Sequence, residues 1–298
     1  MKDANLLQLW DSYSDILWEP GTHKDTCRGY VHEIQDVIRR NRITQFDNKL
    51  LDAATSACRA KGNRNSTVNR KLACLSKLLR KHYRNGAIDR LPDFRKLPER
   101  NGRIRFLSRP EEAALANALD EIDMRYGALA RFLADTGARV GEALSLRWCD
   151  AGDGKATFWE TKSNTPRTVP LTRRATAVLA MLRDSEAIGP FCAVRYANFR
   201  NAWLRARRKA GLGRDPQVVP HILRHTCASR LAQNGVDVKR IQEFLGHRTL
   251  AMTLRYAHLA PRHLDVCVDA LNSIEDEATY RPMRSPGYHR RESLQAAN

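Results

Sequence analysis

Several short stretches in the second half of the chain concentrate side chains suited to holding an anion. In His221-Ile222-Leu223-Arg224-His225-Thr226, directly after Pro220, a spacing of three puts His221 and Arg224 on one helical face. Pro220 suits the first helical position. The two cations would then stand at a helix amino terminus, which is unfavourable unless an anion occupies the site. Upstream, Thr136-Gly137-Ala138-Arg139 sets another arginine just past a glycine break, at the head of a helix that carries Glu142 and turns Leu144 and Leu146 inwards. Downstream, Leu245-Gly246-His247-Arg248 ends a helix on glycine, and Arg255-Tyr256-Ala257-His258 follows. Taken singly, each residue has an ordinary explanation: Arg139 as the partner of Glu142, His221 or His247 as a satisfied core or capping histidine, Tyr256 as a half-buried aromatic. As an ordered set with Lys162 between them, they have no structural motive.

The elements that must position this set are mostly helical. In the first hundred residues apolar positions recur at helical intervals. One helix is predicted around Leu6–Trp18, then a GTHK turn, and a second helix carries Tyr30, Ile34, Val37 and Ile38. A third, with Phe46, Leu50, Leu51 and Ala54, runs to the Lys61-Gly62-Asn63 break. A fourth opens at Ser66 or Thr67, both good caps, and carries Val68, Leu72, Leu75 and Leu79. Leu91–Arg105, with two prolines and a glycine, reads as a linker. Beyond it, Ser108 caps a helix with Pro110 and Glu111-Glu112 in its first turn, and another helix ends at Gly137. Ala156–Leu171 has a short hairpin pattern turning at Ser163-Asn164-Thr165-Pro166. The domains expected are a helical one over 1–95, a linker over 96–105, a chemistry-bearing domain over 106–271, and a mobile polar tail over 272–298.

Composition narrows the class of partner. The 298 residues carry 51 Lys and Arg against 33 Asp and Glu, a net charge of +18. Such an excess points first to nucleic acid, whose condensed counterions basic side chains displace. Between Arg59 and Arg84 there are nine basic residues and no acidic one: Arg59, Lys61, Arg64, Arg70, Lys71, Lys77, Arg80, Lys81 and Arg84. A solvated face usually mixes signs, so this one reads as a phosphate-tracking surface. Arg167 and Arg173, near the hairpin, read as further phosphate contacts. The seven cysteines are odd in number and form no CxxC pair, which argues for reduced, mostly buried thiols and against a disulfide framework or a zinc site. No apolar run approaches the ~18–20 residues of a membrane span, and the acidic start of the chain lacks the apolar stretch of a secretion signal. A cytoplasmic protein, working at a bacterial or host-cell nucleoid, is expected.

The ordered set resembles the tyrosine recombinase (phage integrase) family from about Arg105 to His263. TGARVGEAL is similar to the family's first arginine box, with Arg139 as the arginine and Glu142 as its supporting acid. Lys162 matches the hairpin lysine, HILRHT the HxxR box with His221 and Arg224, LGH supplies His247, and RYAH the nucleophile Tyr256. The four-helix basic half resembles the family's core-binding domain in character rather than by motif. The resemblance implies a mainly α fold with a small β-hairpin or sheet, in a two-domain C-shaped clamp on DNA. It also implies site-specific cutting and rejoining of duplex DNA through a 3′-phosphotyrosine intermediate, a homotetramer on two sites, and accessory DNA-bending or directionality proteins. No cofactor, metal or ATP is expected, and no membrane partner.

These residue types suit that reaction. A phosphodiester can be activated by two metal ions about 3.5–4 Å apart held by carboxylates, and no such carboxylate cluster lies near the boxes. Fixed cationic donors are the other solution, and arginine's planar fork meets two phosphate oxygens at once. A phenol needs help to lose its proton, and His221 is a plausible base, though the arginine field could also suffice. Lys162 could protonate the 5′-hydroxyl leaving group. His225 and His258 read as packing residues. The biological readings left open are phage or mobile-element integration and excision, chromosome-dimer resolution, type IB topoisomerase-like relaxation, and a DNA-binding regulator without activity.

Overall fold

A computed structural model describes residues 5–99, 104–159, 165–183, 188–261, 267–269 and 271–272. Lys162, the 163–164 part of the hairpin turn and nearly all of the expected tail lie outside the described residues. The chain divides into two compact units, Met1–Gly102 and Arg103–Asn298.

The first unit is built from α1 (Leu6–Leu17), α2 (Thr22–Asn41), α3 (Asn48–Ala60) and α4 (Asn65–Arg84). The Asn5 carboxamide caps α1 and the Asp47 carboxylate caps α3, each accepting from two backbone N–H groups that no helical carbonyl can reach. The apolar stripe expected on α4 is buried, with Leu78 added to it. It packs with Leu6, Trp10, Ile34, Ile38 and Leu50 into one core. Two starts differ from expectation. The GTHK segment is the first turn of α2, entered from Gly21 at a φ of 134°. Helix α4 begins at Asn65 without a side-chain cap, so Ser66 and Thr67 lie inside its first turn.

The second unit opens with α5 (Arg109–Asp120), α6 (Met124–Thr136) and the single turn α7 (Val140–Leu144). Ser108 and Glu111 form a reciprocal capping box at the head of α5. The hairpin expected over Ala156–Leu171 gains a third strand. The antiparallel order is β1 (Ala151–Gly152), β2 (Lys155–Phe158) and β3 (Arg167–Pro170), with Ala156 opposite Val169 and Phe158 opposite Arg167. Then follow α8 (Arg173–Leu182), α9 (Tyr196–Lys209), α10 (Ile222–Gln233), α11 (Val238–Leu245) and α12 (Ala251–Leu254). The core gathers Leu129, Phe132, Phe158, Val169, Phe199 and Trp203. A smaller cluster joins Cys227, Ala228, Ile241 and Leu245 to the ring of Tyr256. Four of the seven cysteines are buried and all are free.

Candidate active site

The site is framed by helix ends. Helix α6 stops because Gly137 takes the left-handed conformation (φ 61°), which costs a residue with a Cβ about 1–2 kcal/mol. A Cβ there would also lie 2.3 Å from Leu245 Cδ2. The sharp exit frees the Gly137 carbonyl and turns the chain so that Arg139 stands at the head of α7. Helix α11 ends the same way at Gly246 (φ 65°), presenting the Leu245 carbonyl and then His247.

Arg224, on the first turn of α10, joins both ends. It is 2% exposed and donates from Nη1 to the Gly137 carbonyl and from Nη2 to the Leu245 carbonyl, both at 2.7 Å. Of its five N–H groups, three remain for a ligand. Burial, then the neighbouring Arg139 and Arg167, push its pKa down to about 9. A buried cation crowded by two others is stabilised by an arriving anion.

Glu142 organises the other arginines. Its carboxylate accepts from the Arg139 backbone N–H (2.8 Å), from Arg139 Nη1 (2.6 Å) and from Arg167 Nη2 (2.7 Å). Burial pushes the carboxyl pKa up, but these bonds outweigh it and hold the group below its ordinary value. Arg167 also donates from Nε to the Phe244 carbonyl at 3.2 Å and lies over the Phe158 ring. Its side chain is only 7% exposed. The expected phosphate contact is thus an inward strut, tying β3 to the arginine turn and to the end of α11. Lys71 departs from expectation in the same way: it is 5% exposed and paired with Glu33 at 2.7 Å. Lys61 shares Glu33, and Lys77 lies over the Trp18 ring. Arg59, Arg64, Arg70, Arg80 and Arg84 are exposed on the first unit, with Lys81 half-buried; Arg173 is exposed on the second.

Three histidines and the tyrosine complete the second unit's site. His221 caps α10 and stays exposed. His225, one turn on, meets it edge to face with ring centroids 4.9 Å apart. The Tyr256 ring is 2% exposed, and its hydroxyl lies 2.6 Å from His225 Nδ1. His247 stacks on the Tyr256 ring at 6.5 Å, 9° from parallel, and its Nδ1 is 2.8 Å from Thr253 Oγ1. In the sequence alone His225 reads as a packing residue, and its contact with Tyr256 is seen only in the fold. The signal that could have found it is its position four residues after His221, on the same helical face. Beside His247 an open cavity of about 680 Å³ is lined by Thr168, Arg240 and Arg248 among others. Among the described residues no group of three or more His, Cys, Asp or Glu side chains could hold a metal ion, and no helix is long and apolar enough to cross a membrane.

All three imidazoles are shifted toward the neutral form. Loss of water where the rings pack together is the first cause, and for His221 it acts on the part of the ring turned toward His225, although the residue as a whole is exposed. With the surrounding cations it lowers His221, brings His225 to about 4 and brings His247 to about 3. Unfolding therefore takes up protons between those values and the ordinary 6.5. The stability these groups contribute is complete above about pH 6.5 and declines as pH falls toward 4. A bound phosphodiester should reverse the sign by raising the same pKa values. Near pH 6, DNA binding is expected to take up protons, seen as binding enthalpies that vary with the ionisation heat of the buffer. Identical enthalpies in all buffers would show that no histidine meets the anion.

The chain matches the phage integrase family over residues 105–263. It is 34% identical over 252 residues to the integrase of Haemophilus phage HP1, covering 82% of this chain and 71% of that protein. It is 29% identical over 271 residues to the integrase of Escherichia phage P2, covering 88% and 74%. Its fold is similar to that of a lambda integrase dimer bound to a COC' core site, with a TM-score of 0.70 at 19% identity over 84% of this chain and 97% of that one.

Proposed function

The chain belongs to the phage integrase family of tyrosine-type site-specific recombinases, and on that footing we propose that it integrates and excises a phage or mobile element through a 3′-phosphotyrosine intermediate. The observation that carries this reading is that the fixed, buried guanidinium of Arg224, tied to the ends of α6 and α11, and the buried phenol of Tyr256, packed against Cys227 and Leu245, lie in the same cluster of helix ends and feel each other's charge. Arg139 and Arg224 clamp the non-bridging oxygens of the scissile phosphate, and His221 and His247 add donors. Glu142 and Arg167 hold Arg139 in place. Tyr256 Oη attacks phosphorus and the 5′-oxygen leaves, taking a proton from Lys162, whose assignment rests on its place in the TKSNTPRTVPL motif. The bond energy stays in the tyrosyl ester, so a second 5′-hydroxyl can replace the first without ATP.

The preference for integration over chromosome-dimer resolution draws on the similarity to the HP1 integrase. A homotetramer on two DNA sites, with helper proteins, is part of the proposal. A strand-exchange assay with two duplex sites tests it. Recombinant products are expected; relaxation of supercoiled DNA without exchange would favour the topoisomerase-like reading.

The exposed cations of the first unit are proposed to track the DNA backbone. Replacing Arg70, Arg80 and Arg84 together by glutamine should reduce the slope of log affinity against log salt by about 0.9 for each phosphate that is no longer neutralised. An unchanged slope would place the DNA elsewhere.

A further inference from the structure

We propose that His225, rather than His221, is the group that takes the proton from Tyr256 as the nucleophile attacks. The inference rests on the reading of Tyr256 as nucleophile and adds a catalytic residue to it. The 2.6 Å approach of Nδ1 to Oη carries it. His221, by contrast, is exposed at the helix cap and meets the His225 ring edge to face. The phenol is assigned as donor, because a phenolic O–H is the stronger acid of a neutral pair and a neutral imidazole offers one free lone pair. The pair is also held from several sides. Helix α10 fixes His225, His247 stacks on the tyrosine ring, and Arg255 precedes the tyrosine in the chain.

The groups facing this pair are His221 and Arg224 on the turn of α10, Arg255 and His247 from the segment after α11, and the thiol of Cys227. Most are cations or can become cations, which disfavours a further positive charge on the imidazole and keeps the proton on the phenol at rest. Burial works the same way, raising the phenol above its ordinary pKa. A phosphodiester supplies the missing negative charge. As the Oη–P bond forms, the phenolic proton passes to His225 Nδ1. As the P–O5′ bond breaks, the leaving oxygen takes its proton from the general acid. In religation the imidazolium returns its proton to the departing phenolate.

The test compares single-turnover cleavage by wild type, His225→Asn and His225→Gln on a nicked duplex, at pH 6 to 9. An asparagine Oδ1 can accept the phenolic hydrogen bond in place of Nδ1 but cannot carry the proton away. His225→Asn should cleave about 10²-fold more slowly at pH 7, with unchanged DNA affinity and thermal midpoint. Its rate should climb about tenfold per pH unit, because only pre-formed phenolate attacks. A substrate with sulfur at the bridging 5′ position, whose thiolate leaves without a proton, should not rescue it. Rescue by that substrate would assign His225 to the leaving group. A rate equal to or above that of wild type would make the hydrogen bond a resting hold that must break. A fall in rate and in thermal midpoint together, in both variants, would make it packing. Each of these three results overturns the proposal. Failure of the wild type itself to form a tyrosine-linked complex would instead overturn the reading beneath it.

Discussion

Replacing Arg224 by lysine is expected to slow strand cleavage by about 10²–10³-fold while leaving DNA affinity nearly unchanged. The size of the effect follows from how the side chain is held. Two of its N–H groups are spent on the Gly137 and Leu245 carbonyls, which orient the guanidinium plane, and in the proposed mechanism others meet the phosphate. A lysine ammonium is a point charge that cannot bridge two carbonyls 108 positions apart in the chain and still meet two phosphate oxygens. Buried beside Arg139 and Arg167, it would also lose its proton more readily than arginine. Binding survives because most contacts that set affinity go to backbone phosphates away from the scissile one. Rate and affinity should therefore separate, as measured by quenched single-turnover cleavage against equilibrium binding. Equal rates for wild type and variant would remove Arg224 from the reaction.

Replacing Glu142 by alanine is expected to destabilise the second unit by roughly 3–5 kcal/mol, the usual cost of stranding a buried charge. The carboxylate is 3% exposed and the Arg167 partner 7% exposed, so neither charge can turn to water. Arg139, at 22%, can. Adding Arg167→Leu to the Glu142→Ala variant removes the stranded cation and should recover much of the denaturant midpoint. Cleavage should stay slow, because Arg139 has lost both bonds that aim it. Recovery of stability and rate together would reduce Glu142 to a structural partner. A single Glu142→Ala variant as stable as wild type would contradict the buried geometry itself.

How much of this was legible beforehand depends on the range of the interaction. Local signals carried well: the Ser108 and Glu111 cap, the α4 stripe, the glycine stops at 137 and 246, and the hairpin around Ala156–Leu171. Each is decided by residues within one or two turns of the chain. The errors share a different cause. Lys71 and Arg167 read as exposed cations because their neighbours in sequence are basic or polar. Their carboxylate partners, Glu33 and Glu142, lie 38 and 25 residues away and meet them only through packing. The contact of His225 with Tyr256 is illegible for the same reason, since the two are 31 residues apart. The beginning of α2 reads as a turn in the sequence because Gly21, at positive φ, ends the preceding turn and starts the helix at once.

The most direct test of metal-free tyrosine chemistry is to incubate the protein in EDTA with a duplex nicked next to the cleavage position, so that the short 5′-hydroxyl fragment diffuses away. A denaturation-resistant protein–DNA adduct is expected. Peptide mapping should place it on Tyr256, joined to a 3′-phosphate, and Tyr256→Phe should yield none. An adduct that forms only when magnesium is restored, or one mapped to another residue, would contradict the role given to Tyr256 and the cations around it.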